Sequence, residues 1–135
     1  MKQVVGVVLF LLAGMVVNAQ PAGSPRVKLG TIQGNHLENG RVVRPQVSTA
    51  ELLANPMIMI DSPGWHVLEY KVSMLSSDRQ YWGPFVIAGP LMDERVLSHI
   101  KSPEFKQGRM FLENIMLEKA GRRVVTNNII IDYSN

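Results

Sequence analysis

Three histidines and a handful of carboxylates are the residues of this sequence best suited to acid–base or metal chemistry, and their spacing speaks against both. His36, His66 and His99 include no pair at His-x-His or His-x3-His spacing, the arrangement that puts two imidazoles on one metal. Asp61, Glu69, Asp78, Asp93, Glu94 and Glu113 are spread over turns, helix starts and exposed strand faces, whereas acid–base hydrolysis needs two positioned carboxyls. No Gly-x-Ser-x-Gly elbow presents a serine nucleophile. There is no cysteine, which removes thiolate catalysis, zinc–thiolate sites and a lipidated N-terminal cysteine. The glycines from Gly30 to Gly40 lack the Gly-Lys-Ser/Thr that closes a phosphate loop, so they read as turn chemistry. The sequence therefore predicts no catalytic, cofactor or metal site.

Binding chemistry is better represented. Trp65, Tyr81 and Trp82 fall at the ends of predicted strands, where aromatics fill a core, stack on sugar rings or anchor a protein interface. Arg122 and Arg123 follow Gly121 at a predicted hairpin turn, either as solvated turn charges or as contacts for an acidic partner. These five are the candidate partner-contact residues.

The elements that must position them are mostly strands. Arg26 to Leu29 alternates as a short edge strand, Asn39-Gly40 is a tight bend, and Met57 to Ile60 reads as a buried strand. Ser48 with Glu51 three residues later forms a capping box for a helix that Asn55-Pro56 ends. From His66 to Met74 the alternation predicts a strand with His66, Leu68, Tyr70, Val72 and Met74 on one face. Tyr81 to Ala88 is its return strand, an edge or bulged strand because Pro84 cannot donate to a ladder. Asp93 caps a second short helix carrying Val96, Leu97 and Ile100, with Lys101 in its last turn.

The chain from Gly108 to Tyr133 then reads as two apolar strands around the Gly121 turn. Met110 and Leu112 share a face, and a β-bulge at Glu113-Asn114 brings Ile115 and Leu117 into phase with them. Ile129, Ile131 and Tyr133 share a face of the closing strand. The helices are too few and too short for parallel crossovers, so the expected fold is mainly β, an antiparallel sandwich or open barrel with two short helices.

Length and charge bound the rest. The 135 residues, 15.1 kDa, hold one domain. Lys2 is followed by an uncharged apolar run to Val17 and by small residues at Val17-Asn18-Ala19, which predicts a cleaved signal peptide over residues 1–19. That run of about 14 residues is short of the roughly 20 a spanning helix needs, so no membrane span is expected after cleavage. A Pro/Gly/Ser-rich lead over 20–25 precedes a single domain over 26–135. Cleavage removes only Lys2 from 14 basic and 11 acidic residues, leaving 13 − 11 = +2. That balance is too small to imply nucleic-acid binding. Export places the protein in the periplasm or outside the cell.

The order of elements resembles the C-terminal periplasmic domain of GldM and PorM, proteins of the gliding-motility and type IX secretion machinery of Bacteroidota. Gln46-Val-Ser-Thr-Ala-Glu-Leu-Leu53 is similar to that domain's Ile-Ser-Lys-Ala-Glu-Leu helix start, and Tyr70-Lys-Val-Ser-Met-Leu75 to its Phe-x-Val-x-Ser-Phe strand. Met92 to Lys101 resembles its short helix, and Gly108-Arg-Met-Phe-Leu-Glu-Asn-Ile115 its Gly-x-x-Phe-x-Glu-Asp/Asn-Ile strand. The Gly121 turn and Asn128 to Tyr133 resemble its closing hairpin. The resemblance spans nearly the whole of residues 26–135. It implies an immunoglobulin-like β domain that binds periplasmic or outer-membrane-associated proteins, performs no chemistry and can form a homodimer. The motor-type membrane helix, the long helical region and the earlier β domains of that family have no counterpart in this sequence, so a stand-alone domain with no proton-driven motion is expected. The aromatic strand ends leave a second class of function open, a carbohydrate- or surface-binding module.

Overall fold

The computed structural model describes residues 25–135. The signal peptide expected over 1–19, and all of the lead before Pro25, lie outside the described residues. Around a long central pair, strands β6 (His66–Ser76) and β8 (Gln107–Lys119), the chain builds a six-stranded sheet. β7 (Tyr81–Ala88) pairs with the outer side of β6 and forms one edge. On the other side of β8 lie β9 (Arg122–Val125) and β10 (Ile129–Ser134), and beyond β10 the short β4 (Gln46–Ser48), the one parallel partner. Two antiparallel ribbons complete the strands: β1 (Val27–Leu29) with β5 (Ile58–Ile60), and β2 (His36–Glu38) with β3 (Arg41–Val43). The helices are α1 (Thr49–Ala54) and α2 (Glu94–Lys101).

Alternation gives this sheet one apolar face, and the register aligns it into rows. Ile129, Leu112, Val72 and Phe85 stand side by side on neighbouring strands, and Ile131, Met110, Met74 and Trp82 form the next row. These residues share a single core with Val27, Leu29 and Ile58 of the first ribbon, Leu52 of α1, and Val96 and Ile100 of α2. The ribbon and helices thus cover the inner face as a second layer. The fold is mainly β and sandwich-like, with mixed sheets and no closed barrel.

Local chemistry explains the element ends. The Ser48 hydroxyl accepts from the Glu51 N–H at 3.0 Å, and an Asp93 carboxylate oxygen accepts from the Arg95 N–H at 3.1 Å, each satisfying an orphan donor of a helix start. Asn39 and Gly40, with φ of 52° and 78°, make the two-residue turn between β2 and β3. In β8 the expected bulge is present: Asn114 has φ 52°, the register against β6 shifts there, and Met110, Leu112, Ile115 and Leu117 all remain buried. The edge strand β7 bulges at Gly83-Pro84, a cis peptide, where Met74 pairs with Trp82 but Val72 with Phe85.

Three sequence expectations need correction. The strand expected to be buried from Met57 to Ile60 lies in a two-stranded ribbon with one face in solvent, so Ile58 is buried while Met57 and Met59 are exposed. The face assigned to β6 holds from Tyr70 onward, but a second bulge at Leu68 reverses the phase before it. Val67 is therefore the buried residue, and His66 is exposed. The closing hairpin also has a broken second arm. β9 pairs with Met116–Lys119, the chain detours through Thr126–Asn128, and β10 then pairs with the first half of β8.

Candidate interaction surfaces

The five candidate residues do not form one site. Trp65 precedes β6 and Trp82 pairs near its far end, a separation of about 30 Å at the usual rise of ~3.3 Å per residue. Trp82 points inward and belongs to an aromatic run. Its ring centroid lies 4.1 Å from that of His99; His99 meets Phe105 edge-on at 5.5 Å; Phe105 stacks on Tyr133 at 3.8 Å. This run ties α2 and the segment after it to the sheet. Burial holds the His99 imidazole below its ordinary pKa, with the Glu104 charge opposing in part. Burial, with the Asp78 charge adding, pushes the Tyr133 phenol up to about 12. Trp82 is therefore a packing residue. Tyr81, one residue earlier, points to the opposite face, where it donates to the Ser73 hydroxyl at 2.9 Å and remains 58% exposed.

At the other end the two arginines part company. Arg123 stands in a row with Glu118 and His66, and its Nε lies 3.5 Å from the Glu118 carboxylate, which His66 also approaches at 3.4 Å. Arg122 stands opposite Lys119 in the adjoining row. The Arg122 guanidinium carbon lies 5.9 Å, and the Lys119 ammonium 6.0 Å, from the Trp65 ring centroid. Lys119 is the member that sequence reasoning missed. Its one available signal was its symmetry with Arg122 across the Ala120-Gly121 turn; the approach to Trp65 depends on long-range pairing of β6 with β8.

The outer face of the sheet carries uncovered apolar surface. Register puts Tyr81, Leu75, Arg109 and Asp132 in one row, Ser73, Phe111 and Ile130 in the next, and Val86, Lys71 and Glu113 in a third. Tyr81, Leu75 and Val86 expose apolar surface here, while Phe111 and Ile130 are half-buried beside them. Charges frame the surface: Asp132 accepts from Arg109 at 2.7 Å and lies 3.6 Å from Arg44. A second apolar pair, Leu37 and Val42, stands exposed on the β2–β3 ribbon. The β7 edge is less open than its sequence implies. The Val86 carbonyl accepts from the Arg95 guanidinium at 2.8 Å, Asp93 holds Arg95 at 2.6 Å, and the Gly83-Pro84 bulge interrupts the ladder.

One cleft of about 460 Å³ lies beside the first ribbon, lined by Lys28, Gln33, Asn35, His36, Met59 and Asn127 among others. His36 is fixed at its rim, with Nδ1 3.0 Å from the Gly34 carbonyl and Nε2 2.8 Å from Glu38. The bond to Glu38, then that to Gly34, raises its pKa. Among the described residues no group of three or more His, Asp or Glu side chains could hold a metal, and no helix is long and apolar enough to cross a membrane. No protein-family model matches the chain, and no curated protein matches it.

Proposed function

We propose that this chain is an exported, non-enzymatic protein-interaction module, acting in the periplasm on periplasmic or outer-membrane-associated proteins, as the resemblance to the GldM and PorM C-terminal domain implies. The observation that carries this reading is the outer sheet face. A strand face in contact only with water selects polar side chains, yet this one sets Tyr81, Leu75 and Val86 beside Phe111 and Ile130 inside a charged frame. An apolar centre with a polar rim is the make-up of a protein interface. The same face can serve a homodimer, which sedimentation at rising concentration would detect and a monomer at all concentrations would refute. Capture from envelope extracts at physiological salt tests the main reading: secretion or gliding components are expected, and their absence would count against it.

The cleft beside the first ribbon is the place for a second reading, a carbohydrate-binding module. Gln33 in its lining offers an amide suited to sugar hydroxyls, whereas the Asn35 side-chain oxygen already accepts from the Ile130 N–H and that of Asn127 from the Val27 N–H and the Thr126 hydroxyl. Trp82 is not free for stacking on a sugar, because His99 lies against it. A glycan panel that leaves intrinsic fluorescence and thermal stability unchanged would dismiss this reading.

A further inference from the structure

We propose that Trp65, Lys119 and Arg122 form a receptor for carboxylate side chains, taking an acidic segment of a partner protein. The inference rests on the interaction-module reading and names the chemistry of one contact. Lys119 and Arg122 are directly opposed across β8 and β9, and like charges so placed repel. The face of the Trp65 ring offsets part of this by attracting both cations. No hydrogen bond or ion pair to a described residue satisfies either cation, whereas the neighbouring Arg123 is already matched by Glu118. Residues 1–24 contain no Asp or Glu, so the undescribed part of the chain has no side-chain carboxylate to supply. A carboxylate brought by a partner can supply the counter-charge.

The cluster is also held in place before any ligand arrives. Trp65 is half-buried and packs against the core, which fixes its ring. The Lys119 stem lies over Gly64, so closely that a Cβ there would stand 3.0 Å from Lys119 Cε. The guanidinium can take a carboxylate through two parallel N–H bonds, the ammonium adds a point charge, and the exposed part of the indole gives apolar contact. Two free cations on one hairpin are far short of the extended basic stripe that a phosphate backbone or an anionic bilayer requires. An acidic polypeptide is the ligand whose charge density matches.

The test uses Trp82→Phe, which leaves Trp65 as the sole tryptophan of a chain that has two. A Glu/Asp-rich peptide is titrated at physiological salt, with a Lys-rich peptide of equal length as control. The expected result is a saturable change in Trp65 emission with the acidic peptide alone. Lys119→Gln and Arg122→Gln should each weaken binding by roughly tenfold, the scale of one charged hydrogen bond. Arg123→Gln should leave it unchanged, and circular dichroism confirms that each exposed-charge variant is folded. An unresponsive Trp65, or equal affinity in the Lys119 and Arg122 variants, would overturn the receptor. A response to phosphatidylglycerol vesicles or single-stranded RNA in place of the peptide would overturn it as well. If envelope partners are still captured while the peptide response is absent, the receptor fails and the module reading stands.

Discussion

Both faces of one sheet carry apolar residues, the inner face throughout and the outer face among charges, and they do opposite things with them. Val86 and Ile87 are neighbours in β7; Ile87 is 1% exposed and lies in the core, while Val86 is 50% exposed on the outer face. On the inner face, Met74, Met110 and Ile131 meet a second layer of ribbon and helices. The outer face has the same strands and the same twist beneath it, yet its apolar groups at Tyr81, Leu75 and Val86 still meet solvent. The difference shows that an apolar alternation predicts burial only where a second layer exists to complete it.

The comparison would break first in the interior. Met110→Ala should cost about 2–5 kcal/mol, the usual range for a fully buried large-to-small change, read by denaturant unfolding; a loss below about 1 kcal/mol would mean that the inner layer is loosely packed. Gly108→Val should be at least as damaging. A Cβ at 108 would stand 2.7 Å from the Tyr133 hydroxyl and closer still to the Leu75 carbonyl, and neither the backbone of β6 nor the stacked Tyr133 ring can move away cheaply.

Trp82→Ala probes the margin of that inner face. It removes a partly buried ring from the run through His99, Phe105 and Tyr133, and a loss of about 2–3 kcal/mol is expected, below the range for a fully buried aromatic. Trp65→Ala, at the other end of the sheet, should cost less and show mainly in ligand binding.

A smaller effect comes from pH. The His99 pKa is depressed in the folded protein relative to about 6.5 in the unfolded chain, so the unfolded state takes up the proton first as pH falls. Stability should therefore be complete above pH ~6.5 and decline as the pH falls from there through the lower folded value. His36 has the opposite sign: its raised pKa favours the folded state below pH ~6.5 and loses that contribution as the pH rises through the folded value. Thermal unfolding of His99→Gln and His36→Gln across pH 5 to 8 would separate the two, and an acid loss that survives in His99→Gln would refute the assignment.

Much of the inner face was legible because its signals are local. Ser48, Asp93, Asn39-Gly40 and Pro84 each act through backbone chemistry within a few residues, and Asn114 marked its bulge by breaking an otherwise clean alternation. The bulge at Leu68 left no such mark: Val67 and Leu68 are both apolar, so either phase fits the pattern and only pairing with β8 decides it. The proposed binding surfaces were less legible still. Arg122 and Arg123 look equivalent in sequence, but successive residues of a strand point to opposite faces, so one meets Trp65 and the other Glu118. The tilted contact of Trp82 with His99, and the parallel pairing of β4 with β10, depend on closure between distant segments that no local pattern encodes.

The smallest expected stability change falls on the outer face, and there the central claim can be tested most directly. Val86→Glu places a charge where solvent already reaches, so unfolding free energy should shift by less than about 1 kcal/mol. Capture of secretion or gliding components from envelope extract should fall sharply in this variant relative to the unchanged chain. Undiminished capture by folded Val86→Glu would contradict the assignment of the outer face as the binding surface.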